Sequence, residues 1–470
     1  MLQTLKNAWR TKDIRSKLLF TMLILLLYRI GTVIPVPFVD AHDFAGSFNG
    51  TILQYLDLLS GGSLGQATIF ALGVSPYINA SIIIQLLAVV FPKLGEISKN
   101  DKKKMGYITR VTTVILAVIT ALGYYFLLAD SSLTAAATKG QGNLYWFYGI
   151  VIVTCYVAGA SLVMWLADRI NEHGIGNGVS MILFANIVTA LPQQAINMFY
   201  LIRDTFGYEH NRVLYIIIAI LFALLLAAII LAMTMFVIFI TGSERRIPVQ
   251  YAKRVVGRKM YGGQSSNLPI KLNMTGVMPV IFASSIVSLV PTILMLCGVT
   301  GTGDNFWNKL YRFIGQDGFV YPIVFFILIV GFAYFYTQIT FDPVDVANNL
   351  KKQGGAIPGI RQGRPTSDYI KKILNKITLA GALFLSVVAV LPIIAGPHVI
   401  QHIIEWIIGG YYADPAQRTQ YASVITSYAH QYSSVFTFGG TSLIIVVGVA
   451  LETFRELEAQ LTMRNYKGFL

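Results

Sequence analysis

The sequence predicts an all-α, polytopic membrane protein, and three observations predict it. The 470-residue chain is 55% hydrophobic but only 12% charged, with a mean hydropathy of +0.63; a soluble domain carries about 25% charge. Apolar runs of roughly 20 residues recur along its length, each sufficient to cross a hydrocarbon core about 30 Å thick. The loops between those runs alternate between strongly basic and weakly charged. Backbone groups in lipid find no water, so the runs must be helices; the alternating ten-residue segments of an outer-membrane barrel are absent.

Ten spans follow in order, at about 18–37, 69–91, 107–129, 144–167, 177–191, 213–240, 276–297, 319–341, 373–395 and 435–452. The fifth is short for a full crossing and calls for tilt, extension or cover by neighbours. A basic amphipathic stretch, LKNAWRTKDIRSK, precedes the first span. No small-residue cleavage site follows it, so it reads as an internal signal-anchor.

Charge gives orientation. Of the 36 Lys and Arg residues, 29 fall at the N-terminus, at the C-terminus or in every second loop, and six on the opposite side. Cationic loops resist translocation, so both termini are expected in the cytoplasm. Arg29, in LLLYRIGTVIPVP, is the one charge within a span. It is expected to snorkel or to bond neighbouring carbonyls. The two cysteines, Cys155 and Cys297, lie within spans and far apart, as small packing residues.

Of the 22 acidic residues, none lies well inside a span; Glu452 marks the end of the last. An ion-coupled pump ordinarily needs an intramembrane carboxylate, which weighs against a secondary transporter. There is no HExxH, GxSxG or P-loop, so no enzyme and no cofactor are expected. The GIGNG of 174–178 follows no strand and reads as a site of tight backbone approach. His398, His402 and Glu405, in HVIQHIIEW, fit an interfacial helix better than a metal site.

Two cytoplasmic loops, about 241–274 and 342–372, are long and basic, with proline, glycine and tyrosine among their arginines. Such surfaces suit anionic lipid, RNA phosphates or an acidic protein. A third stretch, GGSLGQATIFALGVSPYINASIIIQ (61–85), opens like a surface loop and turns apolar at Ile69. It breaks at Gly73 and Pro76 and resumes at membrane grade. On these features alone a ten-span small-molecule secondary transporter is the default reading.

Longer stretches decide otherwise. YRIGTVIPVP (28–37), SGGSLGQATIFALGVSPYINASIIIQLL (60–87), HGIGNGVSMILFANIV (173–188), RRIPVQYAKRVVGRKMYGGQSSNLPIKLNMTGVMPVIFASSI (245–286), NNLKKQGGAIPGIR (348–361) and FGGTSLIIVVGV (438–449) are collinear. Over essentially its whole length the chain resembles the SecY family of bacterial protein-translocation channels. The resemblance implies two inverted five-helix halves, 1–200 and 201–470, around a central pore. It implies a passive gated channel that passes unfolded secretory proteins and releases signal or transmembrane segments sideways into the cytoplasmic membrane. A motor ATPase, SecA, or the ribosome would drive it, and small SecE-like and SecG-like subunits would clamp it.

Site residues carried over from the family follow its motifs. The central constriction falls on Val74, Ile78, Val179, Leu183, Ile281 and Ile445, all aliphatic. Such a ring offers water no hydrogen bonds, so a narrow one dewets and blocks ions. The plug would run over about 62–72 and include Gly62, Ser63, Gly65, Ile69, Phe70 and Leu72, with Gly61, Gly62 and Gly65 giving backbone freedom and Ile69, Phe70 and Leu72 an apolar seat. Asn79, Ser81, Gln85, Ser284 and Ser285 would line a lateral gate between the second and seventh spans. Arg246, Lys253, Arg254, Arg258 and Arg361 would dock the motor or ribosome. Two departures stand out. Where the family usually has PGIRPG, this chain has Gln362 after Arg361, which is expected to loosen the loop tip. The connection at about 396–434 is also longer than in familiar members.

Overall fold

A computed structural model describes residues 2–39, 57, 60–130, 145–206, 212–251, 254–256, 259–261, 265–296, 299, 305–314, 320–395 and 440–463. Within these, a helix overlaps each of the ten predicted spans. They are α2 (Lys12–Gly31), α3 (Ser75–Val90), α5 (Lys102–Asp130), α6 (Tyr145–His173), α7 (Gly178–Phe206), α8 (Arg212–Gly242), α9 (Met278–Leu296), α11 (Val320–Thr340), α13 (Arg364–Ala395) and a last helix over 440–463. Short helices accompany them: α1 (Leu2–Arg10), α4 (Pro92–Asn100), α10 (Phe306–Ile314) and α12 (Pro343–Lys352). Cys297, the 396–434 connection and with it His398, His402 and Glu405 lie outside the described residues.

By length and composition, four of the helices can each cross a membrane, α5, α6, α11 and α13, and α3 with α4 forms a pair bent by 117° at Pro92. The chain is thus a multi-pass membrane protein. The apolar parts of α7 and α9 are shorter, Gly178–Pro192 and Met278–Val290. Their buried residues share one core cluster, so protein stands in for lipid along much of their length. Leu26, Ile119, Ile150, Ile327 and Leu391 face outward and exposed, as expected where lipid is the solvent.

The helices close a circuit of packed neighbours: α2 on α6, α6 on α5, α5 on α3, α3 on α9, α9 on α11, α11 on α13, α13 on α8, α8 on α7, and α7 back on α2. Helices before residue 206 meet those after 212 where α9 packs on α3 and α5, where Tyr336 of α11 bonds Gln85 of α3, where α8 packs on α7, and where the last helix bonds Gly176 and Lys17. Inside the circuit lies the largest apolar cluster, fed by α2, α3, α6, α7, α9, α11, α13 and the last helix.

On the basic side the two long loops form one object. Strand β1 (Glu244–Tyr251) pairs antiparallel with β4 (Ser265–Lys271) and, at its far end, with β5 (Gly355–Ala356) of the second loop. Ile247, Val249, Ile270, Leu350, Ile357, Ile370 and Leu374 bury a shared core beneath the sheet. A small hairpin, β2 (Arg254–Val256) with β3 (Lys259–Tyr261), extends from it. Two separate protrusions are therefore one platform.

Candidate functional site

All six ring candidates enter the central cluster. Val74, Ile78, Leu183, Ile281 and Ile445 are buried in it and Val179 packs against it. Four separate helices, α3, α7, α9 and the last, deliver them, with Val74 as the N-cap of α3 and Pro76 in its first turn. The helix thus begins at the waist, and proline tolerates that start because the first amides have no helical partner.

The segment before α3 is a compact, hydrogen-bonded turn region. Ser63 is fully buried, and its hydroxyl donates to the carbonyls of Ser60 (2.7 Å) and Phe70 (3.2 Å). The Ile69 amide donates to the Ile34 carbonyl and the Val36 amide to the Ala67 carbonyl, both at 3.0 Å, so the end of the first span holds the segment edge to edge. Gly61, Gly62 and Gly73 use positive φ angles of 73°, 82° and 53°, which favour glycine. Gly65 does not, so the expected backbone freedom is used at three glycines and not at that one.

Its apolar side chains divide between two seats. Phe70 lies in the central cluster, Leu64, Ala71 and Leu72 join Ala117, Tyr124, Ile152 and Tyr156 of α5 and α6, and Ile69 packs against both. Phe70 stacks on Tyr28 of α2, with ring centroids 5.5 Å apart and planes 9° from parallel. Asn186 of α7 donates to the Tyr28 hydroxyl at 3.0 Å. Arg29 donates to the Gly61 carbonyl at 3.1 Å, which matches the expectation of a cation bonded to neighbouring carbonyls.

Asp57 stands beneath this turn. Its carboxylate accepts the Gly65 amide at 2.7 Å, and its carbonyl accepts the Gly62 amide at 2.8 Å and the Ser60 hydroxyl at 2.9 Å. Burial pushes its carboxyl above the ordinary carboxylate value, opposed by the Gly65 and Leu64 amides and by Ser60. Composition gave no hint of it; the signal available was an acidic residue three before SGG in an otherwise uncharged stretch.

The gate candidates pair differently from expectation. Helices α3 and α9 do pack together, but Ser284 and Ser288 donate to carbonyls of their own helix, Ile281 and Ser285. Gln85 donates to Ser81 one turn earlier at 3.0 Å and accepts from the Tyr336 hydroxyl of α11. Asn79 and Ser285 are half-buried. Among the described residues, the polar bridge from α3 runs to the eighth span, because a serine hydroxyl can reach its own helix's carbonyls more cheaply than a neighbour's.

Of the docking candidates, Arg246 is exposed on β1 and paired with Glu244 at 2.7 Å. Arg361 is exposed at the tip of the second loop. Arg254 lies on β2, while Lys253 and Arg258 lie outside the described residues. The tip is not loosened by the lost proline: Gln362 donates to the Gly355 carbonyl at 3.1 Å, between Gly359 and Gly363 at positive φ.

GIGNG ties the start of α7 to α2 and to the last helix. The Gly176 amide donates to Glu456 of the last helix at 2.8 Å and the Ile175 amide to Thr21 of α2 at 3.0 Å. A Cβ on Gly178 would stand 2.0 Å from the Ala167 carbonyl oxygen, so the approach is indeed tight. Among the described residues, no group of three or more His, Cys, Asp or Glu is placed to hold a metal ion.

Comparison with known proteins matches this arrangement. A SecY family model covers residues 68–454. The chain is 38% identical over 485 residues to the protein translocase subunit SecY of Streptomyces galbus, covering 100% of both chains. It is 39% identical over 476 residues to that of Halalkalibacterium halodurans, again covering 100% of both. Among solved structures it resembles a protein-conducting channel (TM-score 0.59, 16% identity, 95% of this chain and 92% of that one). It also resembles a SecY channel described through a plug that stabilises its closed state (TM-score 0.56, 17% identity, 95% and 92%). A third likeness is to Sec61 in a canine ribosome-channel complex (TM-score 0.55, 14% identity, 95% and 92%). At those identities the structural likeness is one of fold.

Proposed function

The chain belongs to the SecY family, as a pore-forming subunit of a protein-conducting channel, and on that premise we propose how its parts divide the work. The aliphatic side chains of Val74, Ile78, Val179, Leu183, Ile281 and Ile445 form the constriction through which an unfolded polypeptide passes. Branched hydrocarbon yields around any side chain and binds none tightly, while a narrow dry ring holds back ions. Residues 62–72 are the plug, seated through Phe70 against the waist and through Leu64 and Leu72 against α5 and α6.

The two halves, 1–200 and 201–470, part between α3 and α9–α11 to release hydrophobic segments into lipid. The Gln85–Tyr336 contact is one fastening of that gate, and Asn79, Ser81, Ser284 and Ser285 are polar groups along it. The sheet platform, with Arg246, Arg254 and Arg361 on it and Lys253 and Arg258 nearby in sequence, receives the driving partner. That partner is a SecA motor or a ribosome, since this chain makes and breaks no bond. Small SecE-like and SecG-like subunits hold the halves. The membrane is the bacterial inner membrane, with both termini in the cytoplasm as the basic loops require. The family match displaces the alternative of a small-molecule transporter.

The observation that carries this reading is that six aliphatics from four helices, widely spaced in sequence, share one buried cluster with Phe70 of the plug. Its test is a secretory chain stalled during export, with a cysteine at Ile281 as the crosslinking site. Crosslinks from Ile281→Cys, and none from a cysteine at lipid-facing Leu391, support the reading; the reverse pattern removes it.

A further inference from the structure

We propose that Asp57 is the positioning residue of the plug, its carboxylate holding the Gly65 amide while its carbonyl holds the Gly62 amide, so that one residue fixes both ends of the glycine-rich turn. The inference rests on reading 62–72 as the plug and deepens that reading. Two positive-φ glycines, Gly61 and Gly62, make this turn intrinsically loose. Without the acceptors of Asp57 the amides of Gly62 and Gly65 would have to find others, and a buried amide such as that of Gly65 is rarely left unpaired.

The surroundings make this holding sensitive to protons. Asp57 is half-buried, a carboxylate partly withdrawn from water is costly unless paired, and no described cation is among the groups that act on it. Arg29 of α2 donates from Nη1 to the Gly61 carbonyl instead. From α5, the fully buried Tyr124 lies close enough to feel the Asp57 charge, with Tyr156 of α6 behind it at a ring separation of 6.3 Å. Burial raises the Asp57 carboxyl when the plug is seated. A displaced plug returns Asp57 to water and to the ordinary carboxylate value. The seated form therefore binds a proton more tightly. Its extra stability is fully present below the ordinary carboxylate value and is lost as pH rises through the seated value. Acid on the outer face favours closure.

The experiment is chloride efflux from vesicles holding the assembled complex, with pH varied on the plug side. Wild-type leak is expected to rise several-fold from acid towards neutral pH. Asp57→Asn keeps an acceptor for the Gly65 amide without titrating, and its leak is expected to be low and flat. Asp57→Ala loses the acceptor, and its leak is expected to be high and flat. A deletion of 62–72 serves as reference. If the deletion leaks no more than wild type, the plug reading itself fails. If the deletion leaks and Asp57→Ala does not, or if Asp57→Asn keeps the wild-type pH profile, the assignment to Asp57 alone is overturned.

Discussion

Phe70 lies parallel to Tyr28 at a centroid distance of 5.5 Å, so the largest side chain of residues 62–72 rests on the first span as well as in the central cluster. Tyr28 is itself held by Asn186 of α7. Three separate segments thus meet at one aromatic stack, and on the plug reading proposed above this contact both closes the channel and packs the first helices.

Phe70→Ala tests that relationship. Truncating a buried phenylalanine costs about 3–5 kcal/mol, and here the loss falls mainly on the seated plug. Ion leak through the reconstituted channel is expected to rise on the order of a hundredfold, with the assembled complex still recovered intact. An unchanged leak would place the seal elsewhere.

Gly159→Ala on α6 reaches the plug from the other seat. A Cβ there would stand 1.9 Å from the Ile69 carbonyl oxygen, and backbone cannot swing aside as a side chain can. Overpacking of this kind costs about 1–3 kcal/mol. The expected outcome is a leaky channel and a lower melting temperature. Wild-type values on both measurements would contradict the placement of Ile69.

Tyr336→Phe and Gln85→Leu each remove the bond between α3 and α11. Hydrogen bonds between membrane helices contribute about 0.6–2 kcal/mol, weak enough to break during gating. Both variants are expected to export precursors with marginal signal sequences faster than wild type, and the double variant no faster than either single one. Additive effects would show that the two groups act separately.

Arg361→Glu tests the platform. It is expected to abolish motor-driven export while the protein still inserts and assembles, because the residue is exposed and the tip is held by Gln362 through Gly355. Gln362→Ala, which frees the tip and keeps the arginine, is expected to slow export only partly. Normal export by Arg361→Glu would remove the docking role.

Much of the fold was legible in the sequence because lipid imposes a rule with few exceptions: backbone must be helical, and the helix must be apolar for about 20 residues. A helix overlaps each of the ten spans for that reason. The sheet was not legible. The strand ERRIPVQY has a proline and three charges, and its pairing with Gly355–Ala356 joins positions about a hundred residues apart. Gln85 was visible as a polar residue on an apolar helix, but its partner depends on how α11 is rotated, which hydropathy does not encode. Asp57 was passed over because a single acid in a loop ordinarily faces water; only the fold of the plug turns it inward.

The measurement that bears most directly on the waist is chloride flux through a channel carrying Ile78→Ser and Ile281→Ser with residues 62–72 deleted. Two hydroxyls in place of branched hydrocarbon should wet the constriction, and flux is expected to exceed that of the plug deletion alone by an order of magnitude. Flux equal to that of the deletion alone would mean that the aliphatic ring does not hold back ions.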